Sequence, residues 1–350
     1  QYLYICAIDG RKLPKNVQEA NDYLIGKMKQ DIKNQTIYEK ALSAIILFKS
    51  GDKKRGQEYA QSLKEYTVFT EEKGRYYDTR RAGYSWYDYK IPTEVMAIEA
   101  LKVITPQDEQ TVEEMQRWLL QEKRTQAWDT PINSVNAVYA FLFDNTKLLE
   151  AQEPTVLAID GKKLDVPSTA GVGYVKTAIE QPKGKQFTAK KTSTGTSWGA
   201  VYAQFMQPVS DIENSASGIT IKREVILISN PNNPTVLTSP VTLKVGDKVK
   251  VRITITSERD LDFVQVLDRR AACMEPVRQL SGYRNGAYCS PKDYSTNYYY
   301  DMMRKGTHIV ETEYYIDRPG TYETGTCTVQ CAYSPEYRAT TKSAKLIVTN

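Results

Sequence analysis

The period of the hydrophobic residues changes near residue 150, and no other feature constrains the fold as strongly. Before that point apolar side chains recur every three to four positions: Leu42, Ile45 and Ile46 within 38–49; Val95, Ile98 and Leu101 within 91–104; Val112, Met115 and Leu119 within 111–122; Val135, Val138 and Leu142 within 133–143. That spacing lays an apolar stripe along a helix. Beyond residue 150 the period is two. Val249, Val251, Ile253 and Ile255 alternate with Lys250, Arg252 and Thr254, which predicts a strand with one buried face, reached through a Gly246-Asp247 turn. A chain carrying the two periods in separate stretches is multidomain, α followed by β.

Within 1–150, Thr130 before Pro131 reads as a helix start, as does Thr105 before Pro106 with Asp108 and Glu109 in the first turn. The pattern A-x-x-A-apolar occurs at Ala41/Ala44/Ile45, Ala97/Ala100/Leu101 and Ala137/Ala140/Phe141. Small residues one turn apart let helices approach closely. Two of these helices are followed by more charged helical stretches, 53–66 and 108–122. Inner apolar helices alternating with outer amphipathic ones predict an α/α toroid or solenoid. Only about three pairs fall in this stretch, fewer than closing a ring requires, so 1–150 is expected to be the C-terminal part of a toroid.

Beyond it, Val156–Ile159, Asp160-Gly161 and Lys162–Val166 read as a hairpin with a type I′ turn. Asn230-Pro231-Asn232-Asn233-Pro234 reads as a linker, which places domains at 151–232 and 233–350. Short alternating runs at 261–267, 308–316, 321–333 and 344–349, with a turn at Arg318-Pro319-Gly320, predict an antiparallel β-sandwich for the last domain.

Charge and composition narrow the function. The formal net charge is +5 with basic residues spread along the chain, and the densest cluster, Lys183 to Lys191, reads as a solvated loop or edge strand. A nucleic-acid partner is not expected, because phosphate binding concentrates cations on one element. No run approaches the roughly 18 apolar residues of a membrane span. Gln1-Tyr2-Leu3 carries no leader features, and the chain reads as a piece of a longer one, with membrane anchoring conceivable only through an N-terminal part not included. There is one histidine, His308, and no C-x-x-C among the five cysteines, so neither a metal site nor a cofactor is expected. Cys273 and Cys289 flank a loop and could pair, although buried free thiols are the default.

Three features invite chemistry, each with a plainer reading beside it. Tyr84, Trp86, Tyr87 and Tyr89, and again Tyr298, Tyr299 and Tyr300, could stack sugars or bases or simply fill domain edges. Asp88 and Glu94 could be a glycosidase carboxylate pair, yet Glu94 at a helix start is already explained by the helix dipole. Cys327-Thr328-Val329-Gln330 has the C-x-x-Q spacing of an internal thioester, but a strand sends residues i and i+3 to opposite faces, so the bond cannot close there. Cys327 and Cys331 share one face about 13 Å apart, too far to bridge.

Several stretches carry a resemblance. Glu94-Val95-Met96-Ala97-Ile98-Glu99-Ala100-Leu101 resembles the E-x-x-A-x-x-A-L helix of the alpha-2-macroglobulin thioester domain, and Trp128-Asp129-Thr130-Pro131 with Val135-Asn136-Ala137 its W-x-T…A-x-x-A-L helix, with Phe141 where Leu is usual. Ser197–Phe205 resembles the strand returning into the CUB-like domain, and Ile219–Val225, more loosely, the approach to the last domain. Leu243–Asp247, Asp260–Val264, Asp268–Ala272, Glu275-Pro276, Ser281–Tyr283 and Tyr333-Ser334-Pro335-Glu336-Tyr337 look like the terminal macroglobulin domain of bacterial members.

The resemblance implies a non-enzymatic protease trap outside the cytoplasm, periplasmic or at the cell surface, whose partners are proteases and the other domains of its own chain. In bacterial members the segment before Y-A-P-E packs on the thioester site, usually presenting Met-Tyr. Here the pair is Ala332-Tyr333, so only Tyr333 carries the role over. No C-x-E-Q motif and no histidine lie in the helical part, so neither a thioester nor imidazole-assisted acyl transfer is expected from this stretch. A structural or adhesive surface protein reusing the same domains, and more distantly a glycan-active toroid enzyme, are the alternatives.

Overall fold

The computed structural model describes residues 1–10, 12–30, 32–78, 90–125, 128, 130–143, 155–166, 175–180, 184–192 and 199–350. They form two compact units, one of Gln1–Glu122 and Trp128–Val201, the other of Lys123–Ala127 and Tyr202–Asn350.

The first unit is built on helices α1 (Tyr2–Asp9), α2 (Gln18–Gln30), α3 (Ile37–Lys49), α4 (Lys53–Glu65), α5 (Lys90–Ile104), α6 (Glu109–Thr125) and α7 (Pro131–Leu142). Helices α3, α5 and α7 run side by side, and α4 packs against α3 and α5. The alanines of the repeated pattern, Ala41, Ala44, Ala97, Ala100, Ala137 and Ala140, are all buried in the shared core with Ile45, Ile98, Leu101 and Leu119. The stripe expected on α7 is corrected, however. Asn133, Ala137 and Ala140 are its buried residues, while Val135 and Val138 point outward at 67% and 51% exposure. Small residues set the packing because they admit a neighbouring backbone.

Helix starts follow local chemistry. Thr36 and Glu39 form a reciprocal capping box on α3. The Thr130 hydroxyl accepts the Asn133 N–H at 3.1 Å, with Pro131 at the first position of α7. Thr130→Ala is expected to cost about 1 kcal/mol, read as a lower midpoint of the 222 nm dichroism on heating. The expected start at Thr105 is displaced. Its hydroxyl donates back to the Leu101 carbonyl at 3.1 Å, and the Asp108 carboxylate instead accepts the Thr111 N–H at 3.3 Å.

Two small sheets complete this unit. One is the hairpin β1 (Val68–Thr70) and β2 (Gly74–Tyr76); the other is β3 (Val156–Ile159), β4 (Lys162–Lys163) and β5 (Phe187–Lys190), in the order β4-β3-β5. Asp160 and Gly161 have φ of 47° and 76°, the two positive values a type I′ turn demands. The basic cluster falls partly outside the described residues; its remainder includes the exposed strand β5.

The second unit holds β6 (Ser215–Ser217), β7 (Ile219–Leu227), β8 (Thr235–Val236), β9 (Val241–Lys244), β10 (Lys248–Ser257), β11 (Leu261–Arg269), β12 (Met274–Pro276), β13 (Gly282–Arg284), β14 (Ala287–Pro291), β15 (Ser295–Met303), β16 (Gly306–Ile316), β17 (Gly320–Glu323), β18 (Cys327–Cys331), β19 (Arg338–Thr340) and β20 (Lys345–Thr349). A five-stranded sheet, β12-β16-β10-β7-β8, and a seven-stranded sheet, β13-β14-β15-β11-β18-β19-β6, share one core; a third sheet runs β17-β20-β9. Val249, Val251, Ile253 and Ile255 of β10 face that core as their alternation predicts. The prolines at 231 and 234 break the strand but do not end the domain. They form the turn joining β7 to β8, antiparallel neighbours paired Ile226 to Val236 and Leu227 to Thr235.

Polar ties cross this core. Arg223 Nε on β7 donates to Asp268 Oδ1 on β11 at 2.7 Å, with both side chains buried. Thr296 and Tyr314 hydroxyls meet at 2.8 Å, and those of Tyr298 and Thr312 also bond. The clustered tyrosines therefore split by strand alternation: Tyr298 and Tyr300 enter the core while Tyr299 stays outside.

Candidate functional site

Strand β18 lies between β11 and β19, and the chain leaves it at Cys331 in a tight turn. The Cys331 N–H donates to the Tyr337 carbonyl at 3.0 Å, and the Tyr337 N–H to the Ser334 carbonyl at 2.9 Å. Ser334 is fully buried, and its hydroxyl donates at 2.6 Å to the carbonyl of Arg124, in the Lys123–Ala127 stretch that groups with this unit. Arg124 also pairs with Glu336. Tyr337 is buried, with the Arg259 guanidinium 4.8 Å above its ring. Gly218 also lies against the ring: a Cβ there would sit 2.4 Å from it, and φ is +66°. Only glycine fits there.

Both ends of the turn are thus fixed, and its tip projects. Tyr333 is 70% exposed. Its ring meets the edge of Phe263 at 5.2 Å and an interplanar angle of 82°, a favoured aromatic geometry. Ala332, also exposed, donates its N–H to the Phe263 carbonyl at 2.9 Å. An exposed tyrosine on a tied-down turn can insert into a partner's pocket at little ordering cost.

Phe263 carries no sequence signal. It lies mid-strand in β11 with φ of 56°, a left-handed value that a bulky residue rarely adopts. The ladder to β15 pairs Asp262 with Met302 and Val264 with Tyr300 and skips it. A second unforeseen feature is a row of phenols: Tyr283, Tyr288 and Tyr299 are directly opposite one another across β13, β14 and β15.

The remaining candidates do not join this turn as chemistry. Cys327 is fully buried in β18, whereas Gln330 is half-buried and sits opposite Gln265 and Arg338. The two are on opposite faces as expected, and burial pushes the Cys327 thiol well above its usual range. Cys273 and Cys289 are both free and buried, so the pairing considered for them does not form. His308 Nε2 donates to the Arg304 carbonyl at 2.7 Å, and its ring meets Tyr300 edge-on at 5.7 Å, which is a structural placement.

Glu94 is buried at 1% exposure, out of reach of a glycan. Burial holds its carboxyl well above the usual range, Glu122 adds to the rise, and the Tyr77 N–H opposes it. Its proposed partner Asp88, with Tyr84, Trp86, Tyr87 and Tyr89, lies outside the described residues. Glu99, also on α5, accepts from the Tyr4 hydroxyl at 2.5 Å, and it too is raised by burial. Among the described residues no three potential metal ligands come together, and no helix is long and apolar enough to cross a membrane.

Residues 218–336 match the family model described as the bacterial alpha-2-macroglobulin MG10 domain. No curated protein matches the sequence. Among solved structures the chain is similar to trypsin-activated alpha-2-macroglobulin from Escherichia coli, at 11% identity and TM-score 0.45, over 99% of this chain and 23% of that one. It is also similar to Salmonella alpha-2-macroglobulin reacted with methylamine, at 16% identity and TM-score 0.37, over 99% and 22%. A third likeness is to native Escherichia coli alpha-2-macroglobulin spanning MG7 to the C-terminus, at 13% identity and TM-score 0.35, over 99% and 53%. The chain spans less than a quarter of the length of the first two.

Proposed function

We propose, from the match of residues 218–336 to the bacterial alpha-2-macroglobulin MG10 domain, that the chain serves as the C-terminal control region of a broad-spectrum protease trap. In this reading the helical array is part of an α/α toroid of the thioester type, the stretch from 151 up to the strands of the sandwich belongs to a CUB-like domain, and the β-sandwich is of the terminal macroglobulin type. The setting is periplasmic or at the cell surface. The region acts by holding a conformation that proteolysis elsewhere releases, without catalysis of its own. Ala332 and Tyr333 are the contact to the thioester-type region.

The observation that carries this reading is Tyr333, presented 70% exposed within a domain of this family, on a turn whose neighbours Ser334 and Tyr337 are buried. Its phenol stands outside the sandwich while the turn on either side is held by buried groups, the placement a contact residue would have.

The test uses the longer protein. Limited proteolysis is expected to change its mobility on a native gel and to leave the attacking protease shielded from large substrates. Tyr333→Ala is expected to raise the rate at which the uncut protein converts to the fast form. If cutting alters neither mobility nor protease activity, trapping is wrong and the structural or adhesive reading takes its place.

A further inference from the structure

Tyr333 is held by one residue whose own conformation is unfavourable. Phe263 has φ of 56°, in a region unfavourable for an L-residue with a bulky side chain, and such outliers persist where the surroundings over-determine them. What surrounds it is the Tyr333 turn. The Phe263 carbonyl takes the Ala332 N–H at 2.9 Å, its ring stands edge-on to Tyr333 at 5.2 Å, and the preceding Asp262 carbonyl accepts the Cys331 thiol at 3.4 Å. The phenyl ring is itself 44% exposed, so burial does not explain why the backbone adopts this form. Leu261 and Asp262 are both buried, whereas a regular strand would turn one of them out. The left-handed residue resets the alternation and turns its ring toward Tyr333.

We propose that Phe263 is the positioning residue for Tyr333: its left-handed backbone is kept, at a cost, because it fixes the exposed phenol in a single orientation before a partner arrives. The inference rests on the reading of Tyr333 as a contact residue. It predicts that stability and positioning respond in opposite directions. Phe263→Gly relieves the backbone and should leave the thermal midpoint of the sandwich unchanged or higher, while Tyr333 loses order. Phe263→Asn, which tolerates left-handed φ, should lose order in the same way. Phe263→Tyr, which keeps a ring, should retain it.

The measurement is ring relaxation of Tyr333 in the chain with carbon-13-labelled tyrosine, beside thermal midpoints of the three variants. A Tyr333 ring equally ordered in the glycine and asparagine variants overturns the proposal. So does a glycine variant whose midpoint falls along with the ring order, since that is a merely structural role. In the longer protein, Phe263→Asn should raise the uncut conversion rate about threefold or more, and adding it to Tyr333→Ala should raise the rate no further. Additive effects overturn the coupling. If Tyr333→Ala leaves that rate unchanged while the ring order still follows residue 263, the contact reading fails and the positioning stands.

Discussion

Arg223→Leu should destabilise the sandwich by about 3–5 kcal/mol, the largest loss expected of any single change considered. Arg223 lies on β7 and Asp268 on β11, strands of the two facing sheets, and their side chains are 5% and 0% exposed. The guanidinium also donates to the Thr324 carbonyl at 3.0 Å and the Arg269 carbonyl at 3.3 Å. Removing it strands a carboxylate and the Thr324 carbonyl in a low-dielectric core. Burial already holds the Asp268 carboxyl above its usual range, opposed by Arg223; without the arginine it must take up a proton or draw in water. The double variant Arg223→Leu/Asp268→Leu should recover most of the loss, since two apolar groups satisfy each other where one unpaired ion cannot. Near-UV dichroism of the buried tyrosines during urea unfolding reads both. A double variant as unstable as the single would show that the pair is not the cause.

Glu94→Gln works in the other direction and depends on pH. Glu94 is buried on α5, and burial raises its folded-state value well above the ordinary 4.5. A carboxyl raised on folding is most favourable below its unfolded value, and its contribution is lost as pH rises toward the folded one. Each unit of that window costs about 1.4 kcal/mol. Glutamine has the shape of the neutral acid and does not titrate. The variant should match the parent near pH 4 and be the more stable of the two at neutral pH. The 222 nm signal on heating at several pH values checks this. An unchanged gap between pH 4 and 7 would mean the carboxyl does not stay neutral in the fold.

Both sites show what a linear sequence can and cannot display. Periodicity located α3 to α7 and the alternating face of β10, because each depends on residues a few positions apart. The Asp160-Gly161 turn was legible for the same reason: its two positive φ values are written in residue type. Asn230–Pro234 misled because proline reports the end of a strand, not the end of a domain, and β7 and β8 pair across it. Val135 and Val138 misled because burial on α7 is decided by the neighbouring helix, which selected the alanine side. Tyr333 was reached through a resemblance. Phe263 was not reachable, since nothing in Asp262-Phe263-Val264 distinguishes a left-handed residue from an ordinary strand position. Arg223 and Asp268 are unremarkable until the sandwich closes them on each other.

The β17-β20-β9 sheet has a consequence for how the sandwich is made. Its middle strand is β20, which pairs parallel with β9 from Val241 to Lys244 and antiparallel with β17. Strand β9 therefore waits for a partner synthesised about a hundred residues after it, and loop closure over that span is slow compared with the neighbouring hairpins. During synthesis β9 and β17 are two open edges with no strand between them. On the ribosome the domain cannot be finished piecemeal: Leu346, Ile347 and Val348 act as a closing clasp, and shielding those edges until the clasp emerges becomes a task for the cell that makes it.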